Sequence, residues 1–143
     1  MDMKTEDLRL GNYLLQNGEL IKVVDIRRKS LRVYNENKHF RNIKFTKISD
    51  VQPIELTINV LEDCGFTIHK PFGDSAGNIN CYKTDLIMMR NFTAKWRWVW
   101  GYKNDSVISN KEFLIWNTVD YLHELQNLWY ALHKQELTYS QNK

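Results

Sequence analysis

Phe92-Thr93-Ala94-Lys95-Trp96-Arg97-Trp98-Val99-Trp100-Gly101-Tyr102 decides the fold class. Phe92, Ala94, Trp96, Trp98, Trp100 and Tyr102 occupy alternate positions, with Thr93, Lys95, Arg97, Val99 and Lys103 between them. Successive side chains of a strand point to opposite faces, so this segment predicts an aromatic sheet face backed by a basic strip. Such a face either stacks the bases of a single strand or is covered by another element. The cover is at hand in Val119 to Leu132. There Leu122, Leu125, Trp129 and Leu132 recur at helical spacing, Tyr121 and Leu128 widen the stripe, and Asp120, Glu124 and Asn127 fall opposite. A helix of that kind needs an apolar sheet beneath it. The preferred expectation is therefore that Trp96, Trp98 and Trp100 are buried with Leu125 and Trp129 packed near them, while Lys95, Arg97 and Lys103 face outward.

Upstream, Leu86-Ile87-Met88-Met89 is a continuous apolar run, consistent with a strand covered on both faces. Residues 71–78 read as a loop and 113–116 as a last strand. Residues 8–55 carry short strand patterns. Tyr13-Leu14-Leu15 leads into Asn17-Gly18, a two-residue hairpin signal, and Leu20 to Ile26 follows. Arg27-Arg28-Lys29-Ser30 is a charged turn, and Leu31, Val33, Phe40, Ile43, Phe45 and Ile48 continue the apolar pattern. Strands this short suggest a small SH3-like sheet or barrel. Pro53 marks a boundary. After it Thr57 can cap a short helix that ends at Gly65. Asn117 or Thr118 can cap the last helix, with Asp120 in its first turn. The fold expected is α+β: an N-terminal SH3-like lobe over 1–56, then a helix, an antiparallel sheet and the C-terminal amphipathic helix over 57–137. The polar tail, 138–143, is expected to fray.

The 143 residues carry a net charge of +3, unevenly spread. Lys22 to Lys47 holds nine Lys/Arg against Asp25 and Glu36, and Lys83 to Lys103 holds five against Asp85. Clustered positive charge is the footprint of a polyanionic partner, although basic strand surfaces also block edge-to-edge pairing. The candidate contacts for nucleic acid or a partner are Arg27, Arg28, Lys29, Arg32, Arg41 and Lys44, then Lys95, Arg97 and Lys103. No apolar run approaches the roughly 20 residues of a membrane span, and the acidic start is unlike a signal peptide. A reducing cytoplasm with free thiols at Cys64 and Cys81 is the expected setting.

No constellation points to an enzyme or a cofactor. His39, Cys64, His69 and Cys81 lack zinc-ligand spacing. Asp25 with Glu36-Asn37-Lys38 loosely matches a metal-dependent nuclease pattern, which requires the two acids on adjacent strands around a metal. The six glycines form no phosphate loop. His123 is expected on the exposed side of its helix, and His133 beside the stripe.

Three segments carry a resemblance. Leu8-Arg9-Leu10-Gly11-Asn12 with Asn17-Gly18-Glu19 and Lys22-Val23 opens the chain. Pro53-Ile54 and Leu56-Thr57 with Leu61 and Gly65-Phe66 follow. Tyr121-Leu122-His123-Glu124-Leu125-Gln126-Asn127-Leu128 with Ala131-Leu132 closes it. Together they resemble a family of small uncharacterised proteins of bacteroidete bacteria and their phages and mobile elements. Residues 67–116 do not share the likeness, and His133-Lys134-Gln135 replaces the family's acidic end. The resemblance implies no activity or site residue, only a mobile-element gene in a bacterial cytoplasm. With the basic blocks and the lack of a catalytic set, it leads to an expected function. This is a non-catalytic, anti-CRISPR-like accessory protein that binds and inhibits a host protein or ribonucleoprotein machine handling nucleic acid. The alternatives are an SH3-like RNA- or DNA-binding module and a phage structural or assembly protein.

Overall fold

A computed structural model describes residues 3–36, 43–69, 79–90, 95–102 and 117–140. It is α+β, with two four-stranded antiparallel sheets and two helices among those residues. The chain divides into two units, residues 1–55 with 121–137, and residues 56–120 with 138–143. The expected loop at 71–78, the strand at 113–116, and Phe40, Arg41, Phe92, Ala94 and Lys103 lie outside the described residues.

The first unit is a meander of β1 (Tyr13–Gln16), β2 (Glu19–Ile26), β3 (Ser30–Tyr34) and β4 (Ile43–Lys47) in that spatial order. Asn17 and Gly18 both take left-handed backbone at φ 51° and 78°, which makes the tight turn that the sequence predicts. Leu14, Ile21, Val23, Leu31 and Val33 form the core with Leu8 and Val51. A β-bulge between Val23 and Asp25 bends β2, and the sheet curls until Gln16 Nε2 donates to Thr46 Oγ1 at 2.7 Å. Among the described residues the four strands form an open sheet, without the closure of the expected barrel. The free edge of β1 is already occupied, because Leu15 exchanges two backbone bonds with Gln52 at 2.9 and 2.8 Å.

Helix α2 (Leu122–His133) belongs to this unit and packs on β1. The Trp strand, on which the sequence places it, falls in the other unit. The reason is a set of polar contacts that hydrophobic periodicity cannot show. Gln126, fully buried, accepts from Tyr13 N at 2.9 Å and donates to Gly11 O at 3.1 Å. Asn12 Nδ2 donates to Asn127 Oδ1 at 2.9 Å, and Asn127 Nδ2 to Asp7 O at 3.0 Å. Arg9 forms a bidentate pair with Glu136 at 2.5 and 2.9 Å and stacks over Tyr130 at 4.3 Å. The buried stripe is therefore Leu122, His123, Leu125, Gln126 and Trp129, and His123 is inside rather than exposed. The helix also starts later than expected. Glu124 caps the Tyr121 N–H at 3.1 Å, while residues 117–120 run extended.

In the second unit, α1 (Ile58–Asp63) starts at Thr57, whose Oγ1 accepts from Val60 N at 3.2 Å. It ends in a Schellman motif: Gly65 at φ 89°, with Phe66 N donating to Leu61 O at 3.0 Å and Gly65 N to Glu62 O at 2.9 Å. Strands β5 (Thr67–His69), β6 (Ile79–Lys83), β7 (Leu86–Arg90) and β8 (Trp98–Tyr102) form the second meander. Leu86, Ile87 and Met88 are buried, as their apolar run implies. The aromatic strand is shorter than the alternation suggests. Lys95 and Trp96 turn left-handed at φ 54° and 61°, so pairing with β7 begins only at Trp98. Trp98 is 4% exposed and Trp100 half-buried, whereas Trp96 is 41% exposed. Cover for Trp98 comes from this unit's own chain. Its Nε1 donates to Leu56 O at 3.2 Å, and Val119 N donates to its carbonyl at 2.9 Å. Ser140, within the part of the tail that is described, donates its N–H to Asp63 O at 3.1 Å.

Two outcomes follow. Gln126→Leu keeps the volume but strands the Tyr13 N–H and the Gly11 carbonyl. Each stranded group costs ~1–3 kcal/mol, so the urea midpoint should fall at an unchanged m value. Burial lowers the His123 pKa to about 4 from the usual 6.5, against a weaker opposing pull from Asp7. The unfolded chain thus binds the proton more tightly. Stability is full above pH ~6.5 and falls by roughly 3 kcal/mol toward pH 4. His123→Leu should flatten that part of a urea-against-pH series.

Candidate functional site

Residues directly opposed in an antiparallel sheet share a face. In the first sheet, Tyr13, Lys22, Tyr34 and Ile43 form one row across all four strands, and Asp25, Arg32 and Phe45 form the next. The core residues point the other way, so these two rows are the outer face. Its apolar members are not spent on packing: Phe45 is 67% exposed and Ile43 48%. Its cations lie against its rings. The Arg32 guanidinium sits 5.3 Å from the Phe45 centroid, and the Lys22 ammonium 5.7 Å from that of Tyr13. Lys22 is also 3.6 Å from Glu36.

The β2–β3 turn borders this face. Arg27, Arg28 and Lys29 are exposed there, and Arg27 N donates to Ser30 O at 2.8 Å to close the turn. Arg27 pairs with Asp25 at 3.2 Å, whereas Arg28 and Lys29 make no ion pair among the described residues. Lys44, opposite Val33, lies at the rim of a pocket of about 110 Å³ between Gln16, Glu19, Ile21, Val33 and Asn35. The structure thus brings Arg27, Arg28, Lys29, Arg32 and Lys44 onto one curled sheet. Arg41 lies outside the described residues.

The second basic block fares differently. Arg97 is held by Asp120 at 2.5 and 3.1 Å and by Thr118 Oγ1 at 3.0 Å, so its charge is committed within its own unit. Lys95 is exposed, and Lys103 lies outside the described residues. The left-handed backbone at Lys95 and Trp96 costs on the order of 1–3 kcal/mol per residue for side chains of this size. The Trp96 carbonyl accepts from Arg90 Nε at 3.0 Å.

Other constellations come out as follows. Asp25 lies opposite Arg32, and Glu36 lies four residues beyond Arg32 along the chain. Glu36 lies past the end of β3 and reaches Lys22 and Tyr13, whereas Asp25 pairs with Arg27, so the two acids are not opposed on adjacent strands; Lys38 lies outside the described residues. Cys64 and Cys81 are buried free thiols, both pushed up to about 12 chiefly by burial. His39 is outside the described residues, and among those described no group of three His, Cys, Asp or Glu could hold a metal. No described helix is long and apolar enough to cross a membrane.

Sequence patterning alone does not reveal Phe45, Ile43 and Tyr34 as surface. The apolar positions of β4 read as core, but the register puts Thr46 inward and Phe45 outward. No family model, curated protein or solved structure matches this chain.

Because Phe45 and Arg32 lie on a solvated face, Phe45→Ala should change unfolding free energy by less than about 1 kcal/mol. A larger loss in a urea titration would make Phe45 a packing residue.

Proposed function

We propose that this protein is a non-catalytic binder of single-stranded nucleic acid, and that it works through the outer face of the first sheet. The observation that carries the reading is the pairing of an exposed ring with cations on one face: Phe45 under Arg32, beside Tyr34, Ile43 and Lys22. Bases stack on such rings whatever their sequence, and the neighbouring cations meet the phosphates. Arg28 and Lys29 extend the positive potential into the bordering turn. A duplex keeps its bases stacked inside and would offer these rings none, so the single strand is the better fit.

A second reading joins the same face to the setting implied by the resemblance, that of a phage or mobile-element protein in a bacterial cytoplasm. There the face docks on a host nucleic-acid-processing machine and inhibits it. Exposed Phe45 and Ile43 favour this reading as far as they would also anchor a protein partner. Affinity purification with and without nuclease separates the two. Recovery of nucleic acid alone supports the first reading, and one nuclease-resistant protein partner supports the second. Recovery of virion proteins would favour an assembly role.

The direct test is fluorescence anisotropy with short RNA and DNA strands. Phe45→Ala should weaken binding by about 5- to 150-fold, the loss of ~1–3 kcal/mol for one stacked base. Arg28→Ala with Lys29→Ala should lower the magnitude of the log–log salt slope by about 0.7 per lost phosphate contact. Absence of binding to either strand at low salt would refute the proposal.

A further inference from the structure

An edge strand presents a row of backbone groups that its own sheet cannot use. The first sheet has two edges, and the fold treats them differently. Leu15 of β1 exchanges bonds with Gln52, whereas among the described residues no backbone bond reaches the outer side of β4. Which groups lie there follows from the register. The Arg27 N–H bonds the Ser30 carbonyl, so Ser30 and Arg32 turn their N–H and C=O toward β2. Leu31 and Val33, between and beyond them, turn theirs toward β4, where they oppose Thr46 and Lys44. Ile48 keeps the same parity, its N–H bonding Lys29 O at 3.1 Å. The outward groups are therefore those of Ile43, Phe45 and Lys47.

These same three residues are exposed. Little in β4 guards the edge. No proline, glycine or bulge interrupts the strand, and Lys44 is its only inward-pointing charge. Lys44 does, however, select among registers. Outward groups must meet outward groups, so an antiparallel partner of the same sequence can pair only in registers that differ by two residues. Lys44 over Lys44 sets two ammonium stems directly opposite, which is destabilising. Thr46 over Thr46 leaves Ile43 without a partner and puts Phe45 against Lys47. Phe45 over Phe45 places Lys44 against Thr46 and Lys47 against Ile43. That register alone uses the whole strand, and in it every outward N–H finds an outward C=O.

From this we infer that β4 is a self-association edge, at which two copies of the chain pair antiparallel through Ile43–Lys47 about a two-fold axis at Phe45. A second copy is the occupant because the edge is complementary to itself in length, register and charge. The row Asp25, Arg32, Phe45 then continues as Phe45, Arg32 and Asp25 of the second copy, and the two meanders join edge to edge. The two Phe45 rings become cross-strand neighbours on the outer face. A five-residue pairing is small beside a standard interface, so association is weak and rises with concentration. The inference stands apart from the single-strand reading, since it needs no nucleic acid.

Sedimentation of the unaltered chain, free of nucleic acid, should show monomer passing to dimer as concentration rises into the millimolar range. Lys47→Pro removes one outward N–H and suits the local backbone, whose φ is −77°. Its melting temperature in dilute solution should match that of the unaltered chain, while its dimer fraction falls. Register is read with single added cysteines, since Cys64 and Cys81 are buried. Phe45→Cys sets two thiols opposite at the axis, with Cα atoms about 5.5 Å apart and within disulfide reach. Lys44→Cys sets them on a diagonal of about 7–8 Å, beyond that reach. Mild oxidation should therefore crosslink Phe45→Cys and spare Lys44→Cys. A monomer at every concentration overturns the inference, as does a dimer that Lys47→Pro leaves intact. Crosslinking of Lys44→Cys in preference to Phe45→Cys overturns it as well. Should Lys47→Pro lower the melting temperature, the two cysteine variants decide alone. A monomeric chain that still binds a strand leaves the single-strand reading standing, and a dimer that binds none leaves this inference standing.

Discussion

The first unit depends on a need that its own sheet cannot meet. Where β1 begins, the Tyr13 N–H and the Gly11 carbonyl are left without ladder partners, and both lie under the helix. A buried backbone group without a partner is costly. One side chain, Gln126, supplies an acceptor and a donor at once. Asn12 and Asn127 repeat the exchange nearby, and Arg9 clamps Glu136 at its edge. Position and rotation of α2 both follow from these bonds. The helix turns a polar residue inward, and in doing so it carries His123 into the core.

Seen this way, the segments behind the resemblance have a physical explanation of their own. Leu8 to Asn12 and Tyr121 to Leu128 lie at opposite ends of the chain and meet in one hydrogen-bonded network. Residues that hold a frame together in this manner say little about what the frame binds. The surface that offers chemistry, around Arg32, Ile43 and Phe45, lies outside those segments.

What the sequence made legible was whatever depends on neighbours along the chain. The Asn17-Gly18 turn, the Thr57 cap, the Gly65 stop and the buried run at Leu86 to Met88 all follow from local conformational preference or short-range periodicity. What stayed hidden depends on partners far away. Periodicity gave α2 an apolar stripe but not the sheet it would choose, because Gln126 and Asn127 decide that choice and count as polar in any such pattern. The alternation through Trp96 was equally silent about where pairing stops, since the turn at Lys95 and Trp96 uses residues that seldom form one. Of the candidate contacts, Arg27 to Lys29 and Arg32 came together because they sit on β3 and the turn before it, whereas Lys44 shares the row of Val33 on the other face. Arg97 dropped out because Asp120, twenty-three residues away, holds it. Phe45 was missed because a strand's inward set is fixed by register rather than by hydrophobicity alone.

The division of the chain has a consequence for the order of its synthesis. Residues 1–55 and 121–137 form one unit and 56–120 with 138–143 the other, so each must wait for a C-terminal segment before it can be completed. The bonds from Gln126 and Asn127 to the start of β1 span 115 residues. Until the ribosome has made them, a wait of roughly 6–23 s at about 5–20 residues per second, the leading edge of the first sheet has only water and chaperones to satisfy it. During that interval the intervening unit can assemble its meander from short-range contacts. The nascent protein therefore assembles its strands early and seals both units late, the first with residues 121–137 and the second with the segment that carries Ser140.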